Sequence, residues 1–524
     1  MTAKETTELQ KKLREQRKTK IIDLPEKPAV NFDALHEVGV SPEILDLLET
    51  PFAPHSMDMK RYAENRFSQT ILERAIKEKM PVEIYTGNSI RAIAKLQSEG
   101  FTQVMKFTTR DGDFQKLMAT NPKTNENKLV VMTLPGKSYR LQIEGTLLLY
   151  ANESGERISP ENVKVYEDEL NLEQIYTDIF ESYGLKPETV CIGEQAELIR
   201  LLEERGVEKT ETISNPYLNG LVYTYRDAQN QTHTILSVNI SPHLYGDNLT
   251  SFTKVAAQLG VTNIMFTGTA GALDKSLRIG DLVIPENAVY ANPGAGKEPL
   301  ALKNAAGALL PRLQGDNLRT VPMHGTVHSP VLETMPVVEQ LRDQGIQTVE
   351  CEIANIATGI ADSGQPVEFF YHLTISDIPG TEHTNASKIV GELDPVYKDR
   401  PVVDKNNVTA QILGERLGLA KIAPRENKEG AVKGEKAGKE ALEFAVEYEG
   451  GPAVVTLNFT EPDVSDLANF FSVKKMVNRM MQKVLGQGTA TVETMDGVEQ
   501  LLDRIRKDYS LSVKIELKKQ AGSP

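Results

Sequence analysis

From residue 189 to 377, short apolar runs alternate with stretches patterned for helices, and this rhythm constrains the fold more than any other feature. Residues 189–192 read as a strand, Gly193 as a turn and 195–205 as a helix. Residues 220–226 and 233–239 are extended, and 249–260 is helical. Residues 263–266 form a strand that leads into a tight Gly- and Thr-rich turn, and 281–285 is the next strand. Strands this apolar must be covered, so the pattern predicts an α/β fold, a central mixed sheet flanked by helices.

The flanking sequence has different rhythms. Residues 1–20 carry ten charged side chains and read as a solvated arm. A Pro-bearing stretch, 24–54, holds one short helix at 41–49, with Ser41 as N-cap before Pro42. A small α/β unit follows, with helices at 62–79 and 89–97 and extended segments at 81–85 and 103–107. Residues 128–134 and 139–150 read as strands separated by Pro135-Gly136, and a helix at 171–183 is closed by Gly184. Gly87-Asn88-Ser89 reads as a helix cap rather than an anion seat. Residues 425–440, RENKEGAVKGEKAGKE, have a linker composition, and the remainder reads as strand, strand, helix, strand, helix, strand. The expected organisation is a charged arm and linker at 1–55, an N-terminal α/β domain at 56–187 and the core at 188–424. The linker and a C-terminal α/β domain at 441–524 complete it.

Composition excludes several functions. With 59 basic and 73 acidic residues among 524, the net charge of −14 argues against a phosphate backbone as partner. No run approaches the ~18 apolar residues that span a bilayer. The first twenty residues lack the apolar core of a secretory signal, so a cytoplasmic address with no membrane partner is expected. The two cysteines, Cys191 and Cys351, fit a reducing compartment. His324 and His328 lie four apart, but Gly325 and β-branched neighbours argue against a shared helix face, and further ligands are lacking. Residues 291–298 sound like a phosphate loop but lack its first glycine and end in Glu298, where a magnesium-binding hydroxyl belongs. These motifs require neither metal nor cofactor.

Two stretches can carry chemistry. In Gly268-Thr-Ala-Gly-Ala272, the glycines allow close backbone approach and Thr269 adds a hydroxyl. In Val349-Glu-Cys-Glu352, Glu350 and Glu352 stand on one side of an extended segment at the mouth of an apolar helix. A strand at 367–375 then ends in Ser376-Asp377, and the carboxyl ends of strands are where α/β folds place ligand chemistry. Helix capping is the simpler duty for Asp377.

Taken with Gly193 and Gly280-Asp281, these pieces are similar in order and spacing, over roughly 188–420, to the nucleoside phosphorylase superfamily. The similarity is greatest to its purine nucleoside phosphorylase and methylthioadenosine/S-adenosylhomocysteine nucleosidase branch. The resemblance implies cleavage of the N-glycosidic bond of a nucleoside or nucleotide by a homo-oligomer. Position by position, it implies Asp377 as general acid to a purine nitrogen and Glu352 as ribose clamp. Cys351 falls where the family has a methionine against the sugar, Gly268 and Thr269 line the nucleophile pocket, and Ser329 lies on the loop beside the base. Glu350 and Ser376 complete the binding set.

Departures from the family pattern bear on the nucleophile. Where phosphorolytic members have arginines, this chain has Glu197 and Phe266, which favours water over phosphate. Glu194 or Glu197 could activate that water. The base-stacking aromatic expected after Ser329 is replaced by Leu332 and Glu333, leaving the base open. Two alternatives stand beside hydrolysis: a non-catalytic nucleoside-binding or scaffold protein, and phosphorolysis with ligands from a neighbouring subunit.

Overall fold

Apolar residues at alternate positions on short strands set the architecture. The computed structural model describes, with short internal breaks, residues 33–49, 63–107, 115–153, 158–193, 207–239, 244–291, 303–306 and 316–379. It also describes strand segments 20–23, 439–448, 451–460, 489–490 and 512–519, and the single residues Leu202 and Val408. The chain forms two compact units, Met1–Arg425 and Glu426–Pro524.

The first unit begins with β1 (Lys20–Asp23), β2 (Leu35–Val38), α1 (Pro42–Glu49), α2 (Gln69–Lys77), β3 (Val82–Thr86) and α3 (Ser89–Ser98). Then come β4 (Gln103–Phe107), β5 (Gln115–Asn121), β6 (Glu126–Thr133), α4 (Lys137–Glu153) and β7 (Val163–Asp168). The strands make one sheet in the order β1-β4-β5-β6-β3-β7-β2, with β3 parallel to both β6 and β7. Its outermost strands, β1 and β2, come from the stretch expected as arm and linker. Alternation separates the two faces. Val82, Ile84, Leu129 and Val131 pack with α2 and α4, whereas Tyr85, Val130 and Met132 pack beneath α3.

One expectation is overturned here. Residues 139–150 lie within helix α4, not a strand. Tyr139, Leu141, Ile143, Leu147 and Leu148 are all buried, so apolar residues occur around much of the helix and its 3.6-residue period is hidden. Pro135-Gly136 precedes the helix instead of joining two strands.

The core follows with α5 (Leu172–Ser182), β8 (Thr189–Gly193), β9 (Glu208–Asn215), β10 (Leu218–Arg226), β11 (Thr232–Val238) and α6 (Asn248–Gln258). It continues through β12 (Asn263–Ala272), β13 (Leu282–Tyr290), β14 (Leu318–Thr326), α7 (Met335–Asp343), β15 (Thr348–Glu350), α8 (Ile353–Ser363) and β16 (Glu368–Asp377). The mixed sheet runs β15-β14-β13-β16-β12-β8-β11-β10-β9, and β15 also pairs with β12, closing a ring through β12 to β16. Phe252 and Val255 of α6, with Ile356 and Ile360 of α8, cover Ile192, Ile264 and Tyr371. The two helices meet closely because Gly359 has no Cβ; one there would lie 2.2 Å from the Thr250 carbonyl oxygen.

The Gly- and Thr-rich segment is also corrected from turn to strand. β12 continues to Ala272, with a bulge between Ala270 and Gly271. Glycine there serves close packing: a Cβ on Gly271 would stand 3.0 Å from Pro379 Cγ.

In the second unit, β17 (Lys439–Tyr448) and β18 (Gly451–Thr460) form an antiparallel hairpin. It is extended by β19 (Thr489–Ala490) beside β17 and β20 (Ser512–Lys519) beside β18. The helices expected at 465–485 and 497–509 lie outside the described residues. Among the described residues, no helix is long and apolar enough to cross a membrane.

Candidate active site

Three strands converge on the middle of the core sheet. Gly271 of β12 stands opposite Asp377 of β16 on one side and Val349 of β15 on the other. With neighbouring strands about 4.8 Å apart, Asp377 and Val349 have backbones roughly 10 Å apart across β12. The antiparallel run of β15 then carries Glu350 toward Ala270 and Thr269, and the chain turns into α8.

Asp377 ends its strand partly buried and accepts a hydrogen bond from the Ser376 hydroxyl at 2.7 Å. Burial raises its pKa above the ordinary 3.8, and the Ser376 bond opposes the shift. A raised value favours the protonated form that a general acid needs. Ser376 is buried, and its hydroxyl also lies 3.4 Å from the Ala270 carbonyl oxygen.

Glu350 is buried, with both oxygens engaged. One accepts from Thr326 Oγ1 at 2.5 Å and lies 3.0 Å from His324 Nε2. The other accepts from the backbone N–H groups of Glu352, at 2.5 Å, and Ile353, at 2.9 Å. Glu350 thus satisfies donors at the start of α8, where the helix dipole also favours a carboxylate. Burial pushes the His324 pKa down to about 3, so its imidazole is neutral. A neutral ring facing a carboxylate donates from Nε2, and its Nδ1 then accepts from Thr348 Oγ1 at 2.7 Å.

Glu352 occupies the N-cap position of α8, partly buried. Its pKa is held well above the ordinary 4.5, by burial first and then by the Glu350 carboxylate. Burial likewise raises Glu350, against its donors. Cys351, between them, packs in an apolar cluster with Leu273, Val327 and Val349, and burial raises its thiol pKa. Its carbonyl accepts from Asn355 Nδ2 at 2.8 Å, and Tyr290 donates to Asn355 Oδ1 at 2.5 Å.

The remaining expected residues are more dispersed. Thr269 is exposed on β12 opposite Thr374, and Gly268 is buried against the Phe266 ring. Ser329 is buried, and its hydroxyl accepts from the Val331 N–H at 3.4 Å, capping the turn Pro330–Leu332. Val331 and Leu332 are buried in the N-terminal sheet's apolar cluster. Glu194 and Glu197 lie outside the described residues. Sequence reasoning missed the support that His324, Thr326 and Thr348 give Glu350. The signal was polar residues two apart on β14 and β15, but only the register His324↔Thr348 and Thr326↔Glu350 aligns them.

Residues 247–392 match the phosphorylase superfamily family model. The match runs from the residue before α6 through β16, and it contains Asp377, Ser376, Glu350, Cys351, Glu352, Gly268, Thr269 and Ser329. Among solved structures, Campylobacter jejuni 5′-methylthioadenosine/S-adenosyl homocysteine nucleosidase is 17% identical with a TM-score of 0.33. That comparison covers 44% of this chain and 100% of the other. Purine nucleoside phosphorylase from Schistosoma mansoni is 17% identical, with a TM-score of 0.30, covering 43% and 96%. A futalosine hydrolase mutant from Helicobacter pylori is 18% identical, with a TM-score of 0.29, covering 37% and 89%. No curated protein matches the chain.

Proposed function

We propose that the protein hydrolyses the N-glycosidic bond of a purine nucleoside or nucleotide. Asp377 delivers a proton to the departing base, and Glu352 accepts from the ribose hydroxyls as the sugar becomes oxocarbenium-like. Cys351 gives an apolar wall near the sugar, Gly268 and Thr269 line the nucleophile side, and Glu350 positions Glu352 through the start of α8. Glu194 or Glu197 activates water. The observation that carries the reading is the placement of carboxyl residues on both sides of β12, with Asp377 on one side and the Glu350–Glu352 segment on the other.

Water is preferred to phosphate because Phe266, at a position where phosphorolytic members carry arginine, is an uncharged core side chain. The reading includes assembly of identical subunits, with additional N- and C-terminal domains flanking the core in the sequence. The clamp is tested by comparing ribosides with 2′-deoxyribosides. Wild type should favour the riboside, and Glu352→Gln should lose about tenfold or more of that preference in kcat/KM. An undiminished preference in Glu352→Gln would remove Glu352 from the sugar.

A further inference from the structure

The N-terminal sheet has a feature the glycosidic reaction does not use. β3 and β6 are adjacent and parallel, yet α3, which follows β3, covers one face, whereas α4, which follows β6, covers the other. Connections that leave neighbouring parallel strands for opposite faces open a crevice at the strands' carboxyl ends, and α/β sheets bind ligands there. A cavity of about 540 Å³ lies at this place, lined by Glu43, Thr86, Gly136, Lys137, Glu167 and Asp168 among others. The volume falls in the range of small-molecule sites. Beside Thr86 in the strand register, Thr133 is 7% exposed, and its hydroxyl has no hydrogen-bond partner among the described residues.

The charges narrow the ligand. A carboxylate from outside α4 already holds its first amides: Asp247 accepts from the N–H groups of Lys137 at 2.7 Å and Ser138 at 3.0 Å. At the start of α1, the Ser41 N–H is held by Glu144 at 2.8 Å. A phosphate would find these amides occupied and would face Glu43, Glu167 and Asp168. A diamine would face Lys137 and Arg140. The cations also have internal partners, Lys137 with Glu43 at 2.7 Å and Arg140 with Glu144 at 2.8 Å and Glu167 at 2.7 Å, while Arg91 binds Asp168. Balanced pairs of this kind present many acceptors and donors with little net field, which suits hydroxyl groups.

We propose that this cavity is a second ligand site, taking a neutral, hydroxyl-rich molecule of sugar to nucleoside size. Calorimetry on the full chain carrying Glu352→Ala, which removes the sugar acceptor assigned to the core, tests it with adenosine, ribose, ribose 5-phosphate and putrescine. Adenosine or ribose should bind saturably with a Kd below about 1 mM, and the phosphate and the diamine about tenfold or more weakly. Adding Glu167→Gln, or separately Thr86→Val, which keeps the strand shape but loses the hydroxyl, should weaken adenosine or ribose binding by about tenfold. Lack of saturable binding by both neutral probes, preference for the phosphate or diamine, or indifference to both cavity variants would overturn the proposal. Base release by the wild-type chain reads the core site independently, so the two readings can fail separately.

Discussion

At the scale of single residues, the site combines carboxyl groups with distinct environments. Glu350 is built into the helix start by four donors, whereas Glu352 feels burial and its neighbour's charge. A carboxyl whose pKa is raised above the ordinary 4.5 keeps its proton more tightly in the folded chain than in the unfolded one. Its contribution therefore weakens stability as pH rises from about 4.5 through the raised value, and levels off above it. Glu352→Gln should flatten this part of a curve of melting temperature against pH; an unchanged slope would place the titration elsewhere. Asp377 and Glu352 stand out as candidates in the sequence because they end short motifs beside apolar strands, and their proposed roles come from the family resemblance. The hydrogen bonds from His324 and Thr326 do not stand out there, since they depend on the register between β14 and β15.

Among the elements, α4 shows best what sequence patterning leaves hidden. Its apolar residues spread around the helix because the N-terminal sheet and the Pro330–Leu332 turn both pack against it. Alternation within 139–150 thus imitates a strand. Likewise, glycines suggested a turn within β12, although their small size serves the close approach of neighbouring groups. Elements with one buried stripe, such as α5 and α6, were legible within a residue or two of their ends. Asp247 caps α4 from a position just before α6, so Asp247→Ala should lower stability by about 1–2 kcal/mol. Urea denaturation measures this directly, and an unchanged midpoint would show that other acceptors serve those amides.

On the scale of the whole first unit, the two sheets share packing. Val331 and Leu332, which follow β14, are buried with the N-terminal strands, and a Cβ on Gly145 of α4 would lie 2.7 Å from Val331 Cγ2. Hydrogen exchange should therefore report a common opening free energy for amides of β3 and β6 and for those of β12 and β16. Earlier exchange throughout the N-terminal sheet would show that it opens independently. The α/β rhythm announced the core sheet, but strand order and closure by β15 depend on long-range pairing that a linear pattern does not contain. Free-base release from purine nucleosides and 5′-nucleotides probes the proposed bond cleavage itself. Wild type should release base without phosphate, and Asp377→Asn should be slower by about 10²–10⁴-fold. No release from the panel would rule out glycosidic cleavage of these substrates, and equal release by Asp377→Asn would remove Asp377 as the general acid.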